Sequence, residues 1–319
     1  MSRYFIAGGA GFIGSNLVAR LLDEEPDARV VVYDNFLSGH RWHLEAFADD
    51  DRLAIVEGDI ADTQRLNEAV YGSDHLFQLA ANADIAAAVN DPSVDFRLGT
   101  FLVHQVLEAA RLTGVSRVTY TSGSGVYGDL GSTEIDETYG PLQPVSTYGA
   151  SKLAGESLVS AYCHMFDIEG VAFRFANVIG PRQTHGIVYD FVRKLLADPT
   201  RLVVMGDGSQ SKSYVHVADV LDAVFLMKSR RQKPFDVYNV GTDEYVTVRD
   251  IAELVIEVMG LGGVEINYGS EPRGWKGDVP IVRFSSKKIR GLGWNNSWSS
   301  RDALRESAVR ILSEAQQPH

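Results

Sequence analysis

The chain of 319 residues carries 30 Lys and Arg against 42 Asp and Glu, a formal charge of −12 at neutral pH that argues against a general affinity for nucleic acid or an anionic membrane surface. Its 45% hydrophobic and 23% charged content is that of a globular protein long enough to bury a sizeable core. No apolar run reaches the length of a membrane span, the N-terminal residues lead into a strand and a turn without a cleavable-signal layout, and the single cysteine, Cys163, permits no internal disulfide, so a cytoplasmic protein is expected.

The first half alternates short apolar runs with longer amphipathic stretches. RYFIAG, RVVVYD, RLAIVEGD, DHLFQLAA, RVTYTSG and VAFRFAN read as strands. Near-continuous apolar strands separated by helices imply an α/β fold with a doubly wound parallel sheet of the Rossmann type.

Directly after the first strand, Gly8, Gly11 and Gly14 stand at the mouth of a helix. This spacing suits a tight turn, backbone approach to a pyrophosphate and close helix-to-strand packing, while the helix N-terminus offers N–H groups and a positive dipole to the phosphates. Asp34, at the end of the second strand, can accept hydrogen bonds from a ribose diol and would repel a 2′-phosphate, so NAD is expected over NADP; Arg41, close by, keeps NADP open. Phe12, Ile13 and Asn35, with Leu79, Ala80 and Ala81 at the end of the fourth strand, complete the expected cofactor-binding set. Asp59 and Ile60, closing the third strand, would border the adenine, although an ordinary strand-end turn explains them almost as well.

The stretch STYGASK places Tyr148 and Lys152 four apart, on one face of a helix, where a phenol and an ammonium could serve the same ligand. Alone, that spacing arises by chance in many helices. Cys163, among Ala161, Tyr162 and Met165 in a helical pattern, reads as a buried and inert thiol.

Beyond residue 177 the order is less regular. GIVYDFVRKLLADP reads as a helix, RLVVMGDGSQ as a strand entering a Gly-rich turn, SYVHVADVLDAVFLM as a short strand feeding a helix, and FDVYNVGT as a buried strand. TVRDIAELVIEVMG opens with Thr247 and Asp250 at capping-box spacing. The expected organisation is a NAD-binding domain of residues 1–176 and 213–242, interleaved with a smaller substrate domain of residues 177–212 and 243–319. His185 and His216 stand in no spacing of His, Asp and Glu that resembles a ligand set, so no metal is expected.

The glycine turn, the acidic strand end, TSGSGVYG and STYGASK occur in the order that resembles the extended short-chain dehydrogenase/reductases, and among them the nucleotide-sugar 4-epimerases. The resemblance spans essentially the whole chain, with RFANVIGPRQTHGIVYDFV, GDGSQSKSYVHVADV and EPRGWKGDVP similar to substrate-domain signatures. It implies that Tyr148 is the catalytic base and that Lys152 supports its phenolate and holds the nicotinamide ribose. It further implies that Asn177 lies beside a diphosphate and that Arg273 and Asp278 belong to the segment holding uridine and its phosphates.

Two positions depart from the family pattern. Gly123 stands where a Ser or Thr is usual, so Ser124 is the expected hydroxyl orienting the sugar O4, with Ser122 in reserve; Phe96 stands where many relatives have Asn. Ser124 and Gly125 also occupy the positions where dehydratases and decarboxylases of the family commonly carry carboxylates, which leaves epimerisation ahead.

The implied substrate is a UDP-sugar. Arg182, Thr184, His185 and Lys212 offer donors to a hexuronate carboxylate, so UDP-glucuronate is expected modestly over UDP-glucose. The resemblance also implies a homodimer paired through two long helices. A nucleotide-binding sensor without chemistry and a simple ketone reductase are the competing readings.

Overall fold

The computed structural model describes residues 2–230 and 234–316. Its elements begin with β1 (Arg3–Ala7), α1 (Phe12–Glu24), β2 (Arg29–Asp34), β3 (Leu53–Glu57), α2 (Thr63–Val70), β4 (His75–Gln78) and the short α3 (Ser93–Asp95). A π-helical segment, Phe96–Phe101, leads into α4 (Leu102–Thr113), β5 (Arg117–Gly123), α5 (Thr147–Met165) and β6 (Glu169–Phe175). Then come β7 (Asn177–Ile179), α6 (Ile187–Ala197), β8 (Arg201–Val204), β9 (Ser211–Lys212), β10 (Tyr214–His216), α7 (Val217–Lys228) and β11 (Phe235–Val240). The last are β12 (Val246–Thr247), α8 (Val248–Val258), β13 (Glu265–Tyr268), α9 (Lys287–Arg290) and α10 (Ser300–Glu314).

Seven strands form one sheet in the order β11-β6-β5-β4-β1-β2-β3. The pairs β4–β5, β1–β4, β1–β2 and β2–β3 run parallel, which explains the unbroken apolar runs: Phe5, Ile6, Val30, Val32, Leu76 and Phe77 have no room for water on either face of the sheet. The strand order reverses between β1 and β4. In open α/β sheets a crevice forms beyond the carboxyl ends of the strands at such a switch point.

The chain divides into two compact units that alternate along the sequence. The first comprises Met1–Gly123, Ala150–Arg174 and Phe225–Tyr238, the second Ser124–Gly149, Phe175–Val224 and Asn239–His319. In the first, Leu66 and Val70 of α2, Val103, Val106 and Leu107 of α4, and Val159 and Cys163 of α5 pack on the sheet residues Phe5, Val31, Leu76, Val118 and Ala172. In the second, Val188, Phe191 and Leu195 of α6, Ile251 and Val255 of α8, and Leu304, Ala308 and Ile311 of α10 close a separate core over Leu202 and Val204.

One expected strand proves to be two. The run VAFRFAN does not continue straight through to Asn177: Ala176 donates its N–H to Val240 O, the last pairing with the large sheet, and Asn177 then joins β10 in a separate parallel pair, opposite Tyr214. An apolar run gives the extended backbone but carries no information about which neighbour accepts its hydrogen bonds.

The capping box at the start of α8 forms as expected. Thr247 Oγ1 accepts from Asp250 N at 3.1 Å, and Asp250 Oδ2 accepts from Thr247 N at 3.0 Å, so two donors that the first turn would leave orphaned are satisfied. Thr247→Ala removes one arm and should lower stability by about 1 kcal/mol, read as a reduced urea midpoint with α8 otherwise intact.

Candidate functional site

β1 ends at Ala7, and Gly8 turns the chain with a φ of +79°; a Cβ there would lie 2.7 Å from the backbone N of Ala80. Gly14, in the first turn of α1, would carry a Cβ into the carbonyl oxygen of Gly8. The two glycines thus let strand, turn and helix meet at backbone distance. Gly11 is the N-cap of α1 and supplies no side-chain cap, so the N–H groups that open this helix are not taken by their own cap residue. Leu79 and Ala80 both donate their N–H to Ala7 O at 3.0 Å, which brings the end of β4 onto the same turn. Phe12 is buried, Ile13 and Ala81 half-buried.

Asp34 closes the cradle. It is 8% exposed, its Oδ2 accepting from Ala10 N and its Oδ1 from Phe36 N, each at 2.9 Å. Burial raises its pKa, while the two backbone donors act against that rise. An ionised carboxylate has about four acceptor sites, so capacity remains for a ribose diol. Arg41 pairs with Glu57, and its guanidinium lies 4.2 Å over the Phe36 ring, an engagement that competes with any recruitment to a 2′-phosphate. A turn shaped by absent Cβ atoms and closed by an acidic strand end fits a dinucleotide without a 2′-phosphate.

The outer members of the expected set have local work as well. Asn35 is exposed and its Oδ1 accepts from Leu37 N; Asp59 is exposed and its Oδ1 accepts from Ala61 N; Ile60 belongs to the buried core of the first unit.

Tyr148 and Lys152 lie one turn apart on α5, Tyr148 half-buried and Lys152 only 5% exposed. The Lys152 ammonium donates to Thr121 O at 2.8 Å and sits 5.3 Å from the centroid of the Tyr120 ring. Burial lowers its pKa to about 8, with Glu156 pulling the other way. Gly155 makes the arrangement possible, because a Cβ there would overlap the Tyr120 hydroxyl. One turn beyond Lys152, Glu156 is held by Arg174 of β6: Nε donates to Oε1 at 2.9 Å and an Nη to Oε2 at 2.7 Å.

The two serines differ in setting. Ser122 lies within β5, and its buried hydroxyl has no hydrogen-bond partner among the described residues. Ser124 opens a short 3₁₀ turn, Ser124–Tyr127, and is half-buried. A Cβ on Gly149 would lie 2.5 Å from the carbonyl oxygen of Gly125, so the glycine after Tyr148 lets the first turn of α5 approach the residue after Ser124. Phe96 is 61% exposed and opens the π-helical segment, in which Gly99 packs against Ser151. Gly149, Gly155, Glu156 and Arg174 were not among the residues singled out from sequence; the four-residue step from Lys152 to Glu156 was the available signal.

In the second unit Asn177 is exposed and donates Nδ2 to Ser213 O at 3.2 Å. Lys212 Nζ meets Asp278 Oδ1 at 2.6 Å, Gly274 N donates to Asp278 Oδ2, and Arg273 bridges the Asp278 carbonyl and Asp129 Oδ2. Lys212, Arg273 and Asp278 are therefore brought together, with the lysine already committed to a carboxylate. Arg182 has a φ of +65° and donates its backbone N–H to Glu314 at 3.0 Å, and burial lowers the pKa of its guanidinium. Thr184 is half-buried and His185 exposed on the same loop. His216 stacks on Trp298 and meets Glu306 at 3.3 Å. Among the described residues no group of three or more His, Cys, Asp and Glu could hold a metal, and no helix is long and apolar enough to cross a membrane.

Residues 4–241 match the family model described as the NAD dependent epimerase/dehydratase family. The UDP-glucose 4-epimerase of Mycolicibacterium smegmatis is 34% identical over 92% of this chain and 93% of its own length. A crystal structure of a UDP-galactose 4-epimerase superposes with a TM-score of 0.86 at 35% identity, covering 98% of this chain and 99% of that one. MoeE5 in complex with UDP-glucuronic acid and NAD superposes with a TM-score of 0.85 at 26% identity, covering 98% and 100%.

The cradle can be tested by filling it. In Gly14→Ala the new methyl must displace backbone rather than a side chain, a cost of about 1–3 kcal/mol, and NAD affinity measured by calorimetry should fall about tenfold or more. Gly262→Ala, where nothing lies within 4 Å, should bind as the parent does.

Proposed function

The chain belongs to the NAD dependent epimerase/dehydratase family, and we propose that within it the protein is a UDP-sugar 4-epimerase. NAD is the cofactor, and when bound it supplies a reversible acceptor for the hydride on C4 of the sugar. Tyr148 takes the proton from the 4-hydroxyl as the hydride departs and gives it back once the 4-keto sugar has turned over in the pocket. Ser124 orients O4, with Ser122 as the reserve. Lys152 favours the phenolate by its charge and holds the nicotinamide ribose. The first unit binds the dinucleotide and the second the nucleotide sugar, with Asn177, Arg273 and Asp278 at the uridine diphosphate.

The observation that carries epimerisation over dehydration is the turn Ser124–Tyr127, which contains no Asp or Glu. Loss of water from the oxidised sugar needs a further acid and base beside the strand-end hydroxyl, and serine and glycine supply neither. Purified protein should invert C4 with no added hydride acceptor, followed by NMR of the sugar. Net turnover of NADH would instead indicate a reductase.

For the sugar we propose UDP-glucuronate, supported by the donors Arg182, Thr184 and His185, which suit a C6 carboxylate. A second reading, UDP-glucose, is favoured by the pairing of Lys212 with Asp278, which removes one donor from that count, and by the higher identity of the UDP-glucose and UDP-galactose 4-epimerases. A kcat/KM for UDP-glucose equal to or above that for UDP-glucuronate decides for the second. Pairing into a homodimer is supported by the exposed Phe96, Phe101, Leu112 and Met165 on α4, α5 and the preceding π-helical segment; sedimentation showing only ~35 kDa species at micromolar protein would count against it.

Tyr148→Phe should fold, bind NAD and lose at least ~10²-fold in turnover, the usual range for a general base. The lowered pKa of Lys152 sets the pH window: below about 8 the ammonium is present, and above it the charge that supports the phenolate is lost. We expect kcat/KM to fall as pH rises through about 8, and a profile flat to pH 10 would remove Lys152 from that role.

A further inference from the structure

We propose that Glu156, clamped by Arg174, is a positioning residue that keeps Lys152 protonated at its post on β5. The proposal rests on the reading of Lys152 as the partner of Tyr148.

Glu156 is 4% exposed and Arg174 5%, and both carboxylate oxygens accept from the guanidinium, Nε reaching Oε1 at 2.9 Å and Oε2 at 3.2 Å while an Nη reaches Oε2 at 2.7 Å. Such a pair is a poor way merely to fasten α5 to β6. Desolvating two charges can cost as much as their attraction returns, and apolar residues of similar volume often hold two elements together equally well or better. A buried carboxylate at this place therefore calls for an electrostatic use.

Its place supplies one. Glu156 follows Lys152 by four residues, so both project from one face of α5. Burial and the helix both act against the Lys152 proton. The head group is out of water, and long side chains on a helix lean back toward the N-terminus, where the dipole is positive. From β5 it meets the Thr121 carbonyl and the Tyr120 ring, and from its own helix Tyr148 stands one turn before and Glu156 one turn after. Arg174, on β6, contributes a positive charge, but its fork is spent on Glu156. Glu156 is thus the carboxylate that opposes desolvation, and its charge raises the Lys152 pKa against burial. Arg174 prevents Glu156 from swinging onto the ammonium itself, which leaves Lys152 bonded to β5.

The test measures the lysine rather than the reaction. In NAD-loaded enzyme carrying ¹³C-labelled lysine, the Lys152 Cε resonance, assigned by its absence in Lys152→Arg, is titrated in the parent, in Glu156→Gln and in the double variant Glu156→Gln/Arg174→Met. Loss of a nearby opposite charge should lower the midpoint by about one pH unit or more, a tenfold loss of ammonium at a given pH above it. The alkaline limb of kcat/KM should move down with the midpoint.

The double variant leaves neither member of the Glu156–Arg174 pair behind as an orphaned charge, so it carries the test should Glu156→Gln fail to fold. An unchanged Lys152 midpoint in folded variants, even with reduced thermal stability, would make the pair purely structural and overturn the proposal. A midpoint that moves while the alkaline limb of kcat/KM does not would support the role of Glu156 and refute the catalytic pairing of Lys152 with Tyr148.

Discussion

An ammonium group held out of water must find its hydration replaced, and much of the first unit is arranged around that requirement at Lys152. The replacement begins with the sheet. Gln78 is the last residue of β4 paired with β5, opposite Tyr120, so β5 runs on beyond β4, and the carbonyl of the next residue, Thr121, accepts from the lysine. The ring of Tyr120 comes next, reaching the lysine because α5 has glycine at 155, and the Tyr120 hydroxyl in turn donates to the Lys152 carbonyl at 3.4 Å. The buried carboxylate of Glu156 and its arginine finish the arrangement. Strand length, a missing side chain and an ion pair thus converge on one nitrogen.

Much of this architecture was legible in the sequence, where the determining interactions are local. Strands buried on both faces announce themselves as apolar runs, the glycine turn by its spacing, and the cap of α8 by Thr247 and Asp250 three apart. What depends on distant partners was not legible. Arg174 stands between Phe173 and Phe175 in an apolar strand, and nothing near it in sequence identifies Glu156, 18 positions earlier, as its counterion. Lys212 reads as a donor from its own segment, and nothing near it in sequence identifies Asp278, 66 positions away, as the carboxylate it meets. The departure of the chain from the large sheet at Ala176 and the π-helical segment Phe96–Phe101 likewise reflect neighbours that periodicity does not see.

The candidate site shows the same division. Tyr148, Lys152 and Asp34 were accessible from sequence because each sits in a short pattern with a chemical reason for its spacing. The residues that govern their behaviour were not, since they act from neighbouring elements. Asp34 illustrates how closely the two are joined. The same carboxylate ties Ala10 to Phe36, so the group that would choose the cofactor also shapes the turn that would receive it.

Cys163 is on the same helix, three turns beyond Lys152, with its thiol packed so tightly against Gly170 of β6 that a Cβ on that glycine would overlap the sulfur. Burial pushes the thiol pKa up to about 12, leaving little thiolate at neutral pH. With a single cysteine in the chain, alkylation has one address, and the reagent reaches it when α5 lifts from β6. The thiol is in effect a gauge built into the helix that carries Tyr148 and Lys152: where reclosing outpaces alkylation, its labelling rate reports the fraction of time that helix is off its seat, without a probe having to be introduced.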